Sequence, residues 1–179
     1  MAHATLLIEL QTEELPPKSL ERLSIAFRDE VTKALLRHQL IAPDSGQARA
    51  FATPRRLAVL VPGVAGIAAD RSSEVQGPSV DAPAKAVAGF AKKHGVEAGA
   101  LEQRDTPKGK VYLARTNQKG ATLDSVLAAV VADALKQLPV AKLMRWGDGD
   151  AQFVRPVHGL VMLHGEHLVP GTVLGLESG

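Results

Sequence analysis

A chain of 179 residues with 21 Lys and Arg against 19 Asp and Glu has a formal charge of only +2, too little to mark a wholesale nucleic-acid binder, although local basic patches stay open. Hydrophobic residues at 45% can bury a real core and argue against disorder, while aromatics at 3% are too few for a stacking surface on single strands. The lack of cysteine excludes disulfide scaffolds, thiolate zinc sites, iron–sulfur clusters and a Cys nucleophile, and suits a reducing cytosol.

At about 150 residues per domain, the length fits one domain or one domain plus a stub. The apolar run at the start stops at Glu9 with no basic region before it, and no stretch reaches the roughly 18 apolar residues of a membrane span. The expectation is a soluble cytoplasmic chain.

Thr5 to Leu10 reads as a buried strand. Pro16-Pro17 opens a long helix, since proline is tolerated where a helical N–H has no partner. Its core stripe is Leu20, Leu23, Phe27, Val31, Ala34 and Leu35, with Arg22 among the residues of the wet side. Ala48 to Thr53 and Leu57 to Val61 flank Thr53-Pro54-Arg55-Arg56 and predict a hairpin that Pro62-Gly63 ends. Ile67 to Gln76 reads as weakly extended, with a break and a possible sub-boundary at Gly77-Pro78, near 77–82.

Asp81 is positioned to cap a helix from about Ala82 to His94, with Gly95 as its C′ residue. Leu101 to Thr106 and Lys110 to Thr116 flank Pro107-Lys108-Gly109, a second hairpin signal. Thr122 precedes the clearest helix, whose apolar residues from Leu123 to Leu138 follow the i, i+3, i+4 rule until Pro139. A loop follows at Trp146 to Asp150, then an extended run from Phe153 and a two-residue hairpin turn at Gly165-Glu166. Hairpins alternating with about three helices predict an α+β fold with a mixed, largely antiparallel sheet.

Motifs for nucleotide chemistry fail. Gly109-Lys110 is followed by Val111, and no G-x-G-x-x-G or G-x-S-x-G occurs. His158, His164 and His167 offer imidazoles for a metal-dependent hydrolase, or simply polar residues closing a hairpin. Glu9, Glu13 and Glu14 fit a carboxylate pair, or acids complementing the dipole of the next helix. Arg55 and Arg56 at a hairpin tip match phosphate geometry, and equally suit a solvated turn. Lys142, Arg145, Trp146 and Arg155 form a second basic stretch. There an Arg beside the only Trp either stacks on a base or on the Trp146 ring, or Trp146 plugs a core under the loop with Arg145 paired to Asp148 or Asp150. Lys92-Lys93 at a helix C-terminus complements its dipole.

Seven runs carry a family likeness: Glu9-Leu-Gln-Thr-Glu-Glu-Leu-Pro-Pro17, Ala52-Thr-Pro-Arg-Arg-Leu57, Gly77-Pro-Ser79, Gly89-Phe-Ala-Lys-Lys-His-Gly95, Lys142-Leu-Met-Arg-Trp-Gly147, Phe153-Val-Arg-Pro-Val-His158 and Gly175-Leu-Glu-Ser-Gly179. In this order they resemble the N-terminal part of the β subunit of bacterial α2β2 glycyl-tRNA synthetase, a subunit several times longer. The resemblance implies a domain similar to the B3/B4 module of phenylalanyl-tRNA synthetase. It implies partners in the α subunit, the glycine tRNA and the rest of the β subunit, and no membrane. ATP and Mg2+ would act at the α subunit, with no cofactor, metal or catalytic residue in this piece. Arg55, Arg56, Lys142, Arg145, Trp146, Arg155 and His158 are then the candidates for tRNA or subunit contact. A non-catalytic docking domain and the His-based hydrolase are the alternatives.

Overall fold

The computed structural model describes residues 3–107, 109–140, 142–147 and 149–179. The chain forms two units: residues up to Ala68 together with Ala121–Gly179, and Ala69–Gly120. The second is thus an insertion in the first. On the first unit's side, the Ala68 N–H donates to Ala121 O at 2.9 Å, Ile67 bridges to Thr122, and the Leu123 N–H donates to Gly66 O at 2.9 Å. On the second unit's side, the Gly120 N–H donates to an Asp70 carboxylate oxygen at 2.8 Å. The stretch 77–82, where a sub-boundary was expected, lies inside the second unit.

In the first unit, β1 (His3–Thr12) alternates strictly. Leu6, Ile8, Leu10 and Thr12 are fully buried, and the residues between them face the other side. A short 3-10 turn at Pro17–Ser19 leads into α1 (Leu20–Arg37), which buries Leu23, Phe27, Val31, Ala34 and Leu35 as its periodicity predicts. Next come β2 (Arg49–Thr53) and β3 (Arg56–Ala65), joined by the expected turn at Pro54-Arg55. Pro62-Gly63 does not end β3. Leu6 faces Val61 and Ala4 faces Val64, so β3 carries one extra residue, and Gly63 at φ +67° supplies the bulge conformation.

The second unit contains β4 (Arg71–Ser79), α2 (Ala84–Lys93), a 3-10 turn at Ala98–Ala100, β5 (Glu102–Thr106) and β6 (Gly109–Gln118). Its antiparallel sheet has the order β4-β6-β5. Gly77-Pro78 is again a bulge and not a break, because Gln76 faces Leu113 and Ser79 faces Val111. A Cβ at Gly77 would fall 2.4 Å from the Phe90 ring, so only glycine lets α2 dock here. Pro83 holds the N-cap position expected of Asp81, and no side chain among the described residues caps the helix. Proline at 83 keeps Ala82 out of helical geometry. The C-terminal expectation holds: Gly95 has φ +65°, and the Val96 N–H donates to Ala91 O at 3.0 Å in a Schellman arrangement. Ala91, Leu101 and Ala114 form a small core with Phe90 and Tyr112 packed against it.

Glu74 on β4 binds Arg115 at 2.9 Å and Arg104 at 2.7 Å, and Arg115 also reaches Glu102 at 3.0 Å. Hydrogen bonds first from Arg115 and then from Arg104 hold the Glu74 carboxyl below its ordinary value near 4.5. A lowered folded-state value contributes stability above the ordinary value and loses it as pH falls through the folded one. Acidifying from about pH 5 to about pH 3 should therefore destabilise the second unit less in Glu74→Gln than in the unmodified chain. Melting followed at Tyr112, the only tyrosine, checks this; parallel acid profiles in the two proteins would refute it.

The chain returns to the first unit with α3 (Leu123–Lys136), which buries Leu123, Leu127, Val130, Val131, Ala134 and Leu135. Thr122 holds the N-cap position with extended backbone but no side-chain bond. The remaining strands are β7 (Met144–Arg145), β8 (Gln152–Phe153), β9 (Val157–His164), β10 (His167–Leu168), β11 (Thr172–Val173) and β12 (Leu176–Glu177). The main sheet has the order β10-β9-β1-β3-β2, antiparallel throughout. Buried residues of β1, β3 and β9 join those of α1 and α3 in one core cluster, so both helices cover the same face of the sheet. The expected α+β class holds, with three α-helices among the described residues. No helix among the described residues is long and apolar enough to cross a membrane.

Candidate nucleic-acid interface

The strap that follows β1 organises one end of the main sheet. Its backbone is tied on one side to the β2–β3 turn: the Thr12 N–H donates to Arg55 O at 2.9 Å and the Leu15 N–H to Pro54 O at 2.7 Å. On the other side the Glu13 N–H donates to Pro156 O at 2.9 Å, and Arg155 Nε donates to Glu14 O at 3.0 Å. These bonds set Arg55, Arg56, Arg155 and His158 around one sheet end, although they come from turns about 100 residues apart.

Their electrostatic states differ. Arg55 is exposed, and its guanidinium has no partner among the described residues. Arg56 is held by Glu9 at 3.2 Å. Arg155 is a clasp: besides Glu14 O, its Nη1 donates to Val154 O at 3.0 Å and to Met144 Sδ at 3.3 Å. His158 is the extra residue where Gln11 pairs with Gly159 but Thr12 pairs with Val157, and it is exposed. A Cβ at Gly159 would fall 2.8 Å from the Gln11 side-chain oxygen, so glycine lets the strands close at this end.

Beside the clasp lies a cavity of about 220 Å³ whose floor includes Pro16, Leu23 and Val154 and whose cations are Arg22, Lys142 and Arg155. Lys142 has no partner among the described residues, and Arg22 donates one bond to Pro139 O at 3.2 Å. Arg22 was not among the expected site residues, because its helical phase marks it only as wet-side charge on α1. Free or partly free cations over an apolar floor can take a phosphate oxygen while a sugar or base edge rests below.

Two expected members stand apart. Arg145 reaches Asp150 at 3.8 Å across an exposed loop. Trp146 is half-buried against the main core, which favours the plug. Asp148, the other suggested partner of Arg145, lies outside the described residues.

The hydrolase reading is overturned. His164 Nε2 bonds to Val64 O at 2.8 Å and His167 Nε2 to an Asp124 oxygen at 3.0 Å. His158 lies six residues from His164 along β9, or about 20 Å on an extended strand, so the three imidazoles cannot share an ion. Glu9 is engaged by Arg56 while Glu13 and Glu14 are exposed on the strap, which does not make an acid–base pair.

The strap, the Thr53–Arg56 turn and the Val154–His158 run are separate in sequence and meet in space. Compared with known proteins, residues 6–179 match the family model described as glycyl-tRNA synthetase beta subunit. The chain belongs to the glycyl-tRNA synthetase β-subunit family. It is 47% identical to the glycine–tRNA ligase β subunit of Aromatoleum aromaticum, over 100% of this chain and 27% of that protein. It is 44% identical to the β subunit of Serratia proteamaculans, over 99% of this chain and 26% of that protein. The β subunit of Chromohalobacter salexigens is also 44% identical, with 100% of this chain and 26% of that protein covered. The chain thus spans about a quarter of the length of the β subunits it matches.

Proposed function

We propose that the chain is the N-terminal part of a glycine–tRNA ligase β subunit. In this reading the sheet end with Arg55, Lys142 and Arg22 helps to hold the glycine tRNA in a cytoplasmic α2β2 assembly. ATP and Mg2+ act at the α subunit, and this region carries no aminoacylation chemistry. The observation that supports it is the convergence on one sheet end of three runs that also carry the family likeness, where Arg55 and Lys142 have no partner among the described residues.

The test is reconstitution of the complete β subunit with the α subunit. A β subunit lacking residues 1–179 should lose most tRNA glycylation while the α subunit still forms glycyl-adenylate. Unchanged glycylation would refute a supporting role for this region.

A docking role has its own observation. Leu143 and Met144 are 49% and 40% exposed, and Leu143 lines a groove of about 420 Å³ with Leu135 and Leu174. Capture of the α subunit by this chain, with no tRNA shift at low salt, would favour that role over RNA contact.

A further inference from the structure

The second unit carries the positive excess of the chain. Ala69–Gly120 holds nine Lys and Arg against six Asp and Glu, while the rest of the chain holds 12 against 13. On its strands the cations are engaged: Arg104 and Arg115 by Glu74, and Lys110 by Asp105 at 4.0 Å. Helix α2 is different. Between Ala84 and Lys93 it has Lys85, Lys92 and Lys93 and no acid. None of these lysines has a partner among the described residues.

Its two faces separate cleanly. Val87, Phe90 and Ala91 pack inward. Lys85, Ala88, Gly89 and Lys92 recur at helical spacing on the opposite side, and all four are exposed. Lysines in a last turn complement the helix dipole, which accounts for Lys92 and Lys93. Lys85 is in the first turn, where the dipole repels a cation, and no acid stands there to offset it. Gly89 makes the helix less stable than alanine would at that position. A Cβ there would meet nothing within 4 Å, so packing inside the protein does not require the glycine. Two local rules of helix stability are thus broken on one exposed face, as is usual where a surface serves a ligand.

We propose that the exposed face of α2 is a docking surface for the phosphodiester backbone of RNA. Lys85 and Lys92 stand about 10 Å apart along the helix axis, a span that meets about three phosphates of one strand of a duplex. The acids flanking the helix, Asp81 and Glu97, lie beyond its two ends. A glycine between the lysines lets a backbone approach without a side chain in the way. This proposal rests on the reading that the assembly holds tRNA, but it places a second contact on a different unit.

The experiment compares the assembled α2β2 enzyme with its Lys85→Ala/Lys92→Ala/Lys93→Ala variant for glycine tRNA binding between about 50 and 200 mM salt. The slope of log affinity against log salt should become shallower by about 2, with binding weaker by about tenfold or more near 100 mM. A control variant, Lys18→Ala/Lys33→Ala/Lys136→Ala in the first unit, should change the slope by less than about 1. Alanine is the best helix former, and an unchanged Tyr112 signal verifies that α2 is still packed. An unchanged slope in the α2 variant, while Arg55 and Lys142 substitutions still weaken binding, would overturn this proposal and leave the sheet-end reading standing. The reverse pattern would overturn the sheet-end contact and support this one. Binding to phosphatidylglycerol vesicles that the α2 variant abolishes, with tRNA affinity unmoved, would also overturn it in favour of a membrane surface.

Discussion

Phe27→Ala should lower the stability of the first unit by about 3–5 kcal/mol. Phe27 is fully buried at the middle of α1, in the cluster that joins α1 and α3 to β1, β3 and β9. Truncation removes the transfer free energy of the ring and leaves a cavity that two helices and a sheet cannot close without moving together. Trp146 is the only tryptophan and packs against this same cluster, so its fluorescence follows the first unit in urea. A loss of that size should move the midpoint down by roughly 2 M with little change in slope. The second unit has a separate core, and its Tyr112 transition should stay in place. A tryptophan midpoint within about 0.5 M of the unmodified chain would mean that the ring is not a structural centre.

In the assembled enzyme, Arg55→Ala combined with Lys142→Ala should weaken glycine tRNA binding by about tenfold to thirtyfold and flatten its salt dependence by about 1.5. Both side chains are exposed and unpartnered among the described residues, so their loss leaves no buried group unsatisfied and should cost little stability. Arg155 is a poorer probe of RNA contact. Its bonds to Glu14 O and Val154 O hold the strap, and Arg155→Ala would loosen the sheet end itself. Arg56→Ala is intermediate, because it also frees Glu9. Filter binding across a salt series checks the prediction, and equal affinities at every salt would remove the sheet end from the tRNA interface.

Much of the fold was legible because it rests on local periodicity. The alternation from Leu6 to Thr12, the stripe of α1 and the stripe of α3 each encode a single buried face, and each element formed where its pattern lies. Pro62-Gly63 and Gly77-Pro78 read as stops because both dipeptides favour turns. An antiparallel pair can absorb one extra residue as a bulge, and whether it does depends on the partner strand, which no local window contains. The limits of the insertion were hidden for the same reason. The bonds joining Ala68 to Ala121 and Asp70 to Gly120 link residues about 50 positions apart.

The candidate site was legible in its parts and not in its assembly. Arg55, Lys142 and Arg155 stood out as cations in turns, but the strap that gathers them is held by backbone bonds that carry no compositional mark. Arg22 joined them only through the packing of α1. Trp146 went to the core because a single large ring near an apolar cluster gains more from burial than from solvent.

The place of β1 in the main sheet has a consequence for synthesis. β1 lies between β3 and β9, and about 145 residues separate Thr12 from the start of its second partner. At about 5–20 residues per second, the ribosome takes roughly 7–30 s to deliver β9 after β1 has emerged. During that interval β1 can pair only with β3, and its other edge is bare to any strand of a neighbouring nascent chain. The second unit, contiguous from Ala69 to Gly120, can finish folding within the same interval. The nascent chain would thus carry a completed insertion on a half-built sheet, the stage at which a chaperone that shields strand edges would matter most.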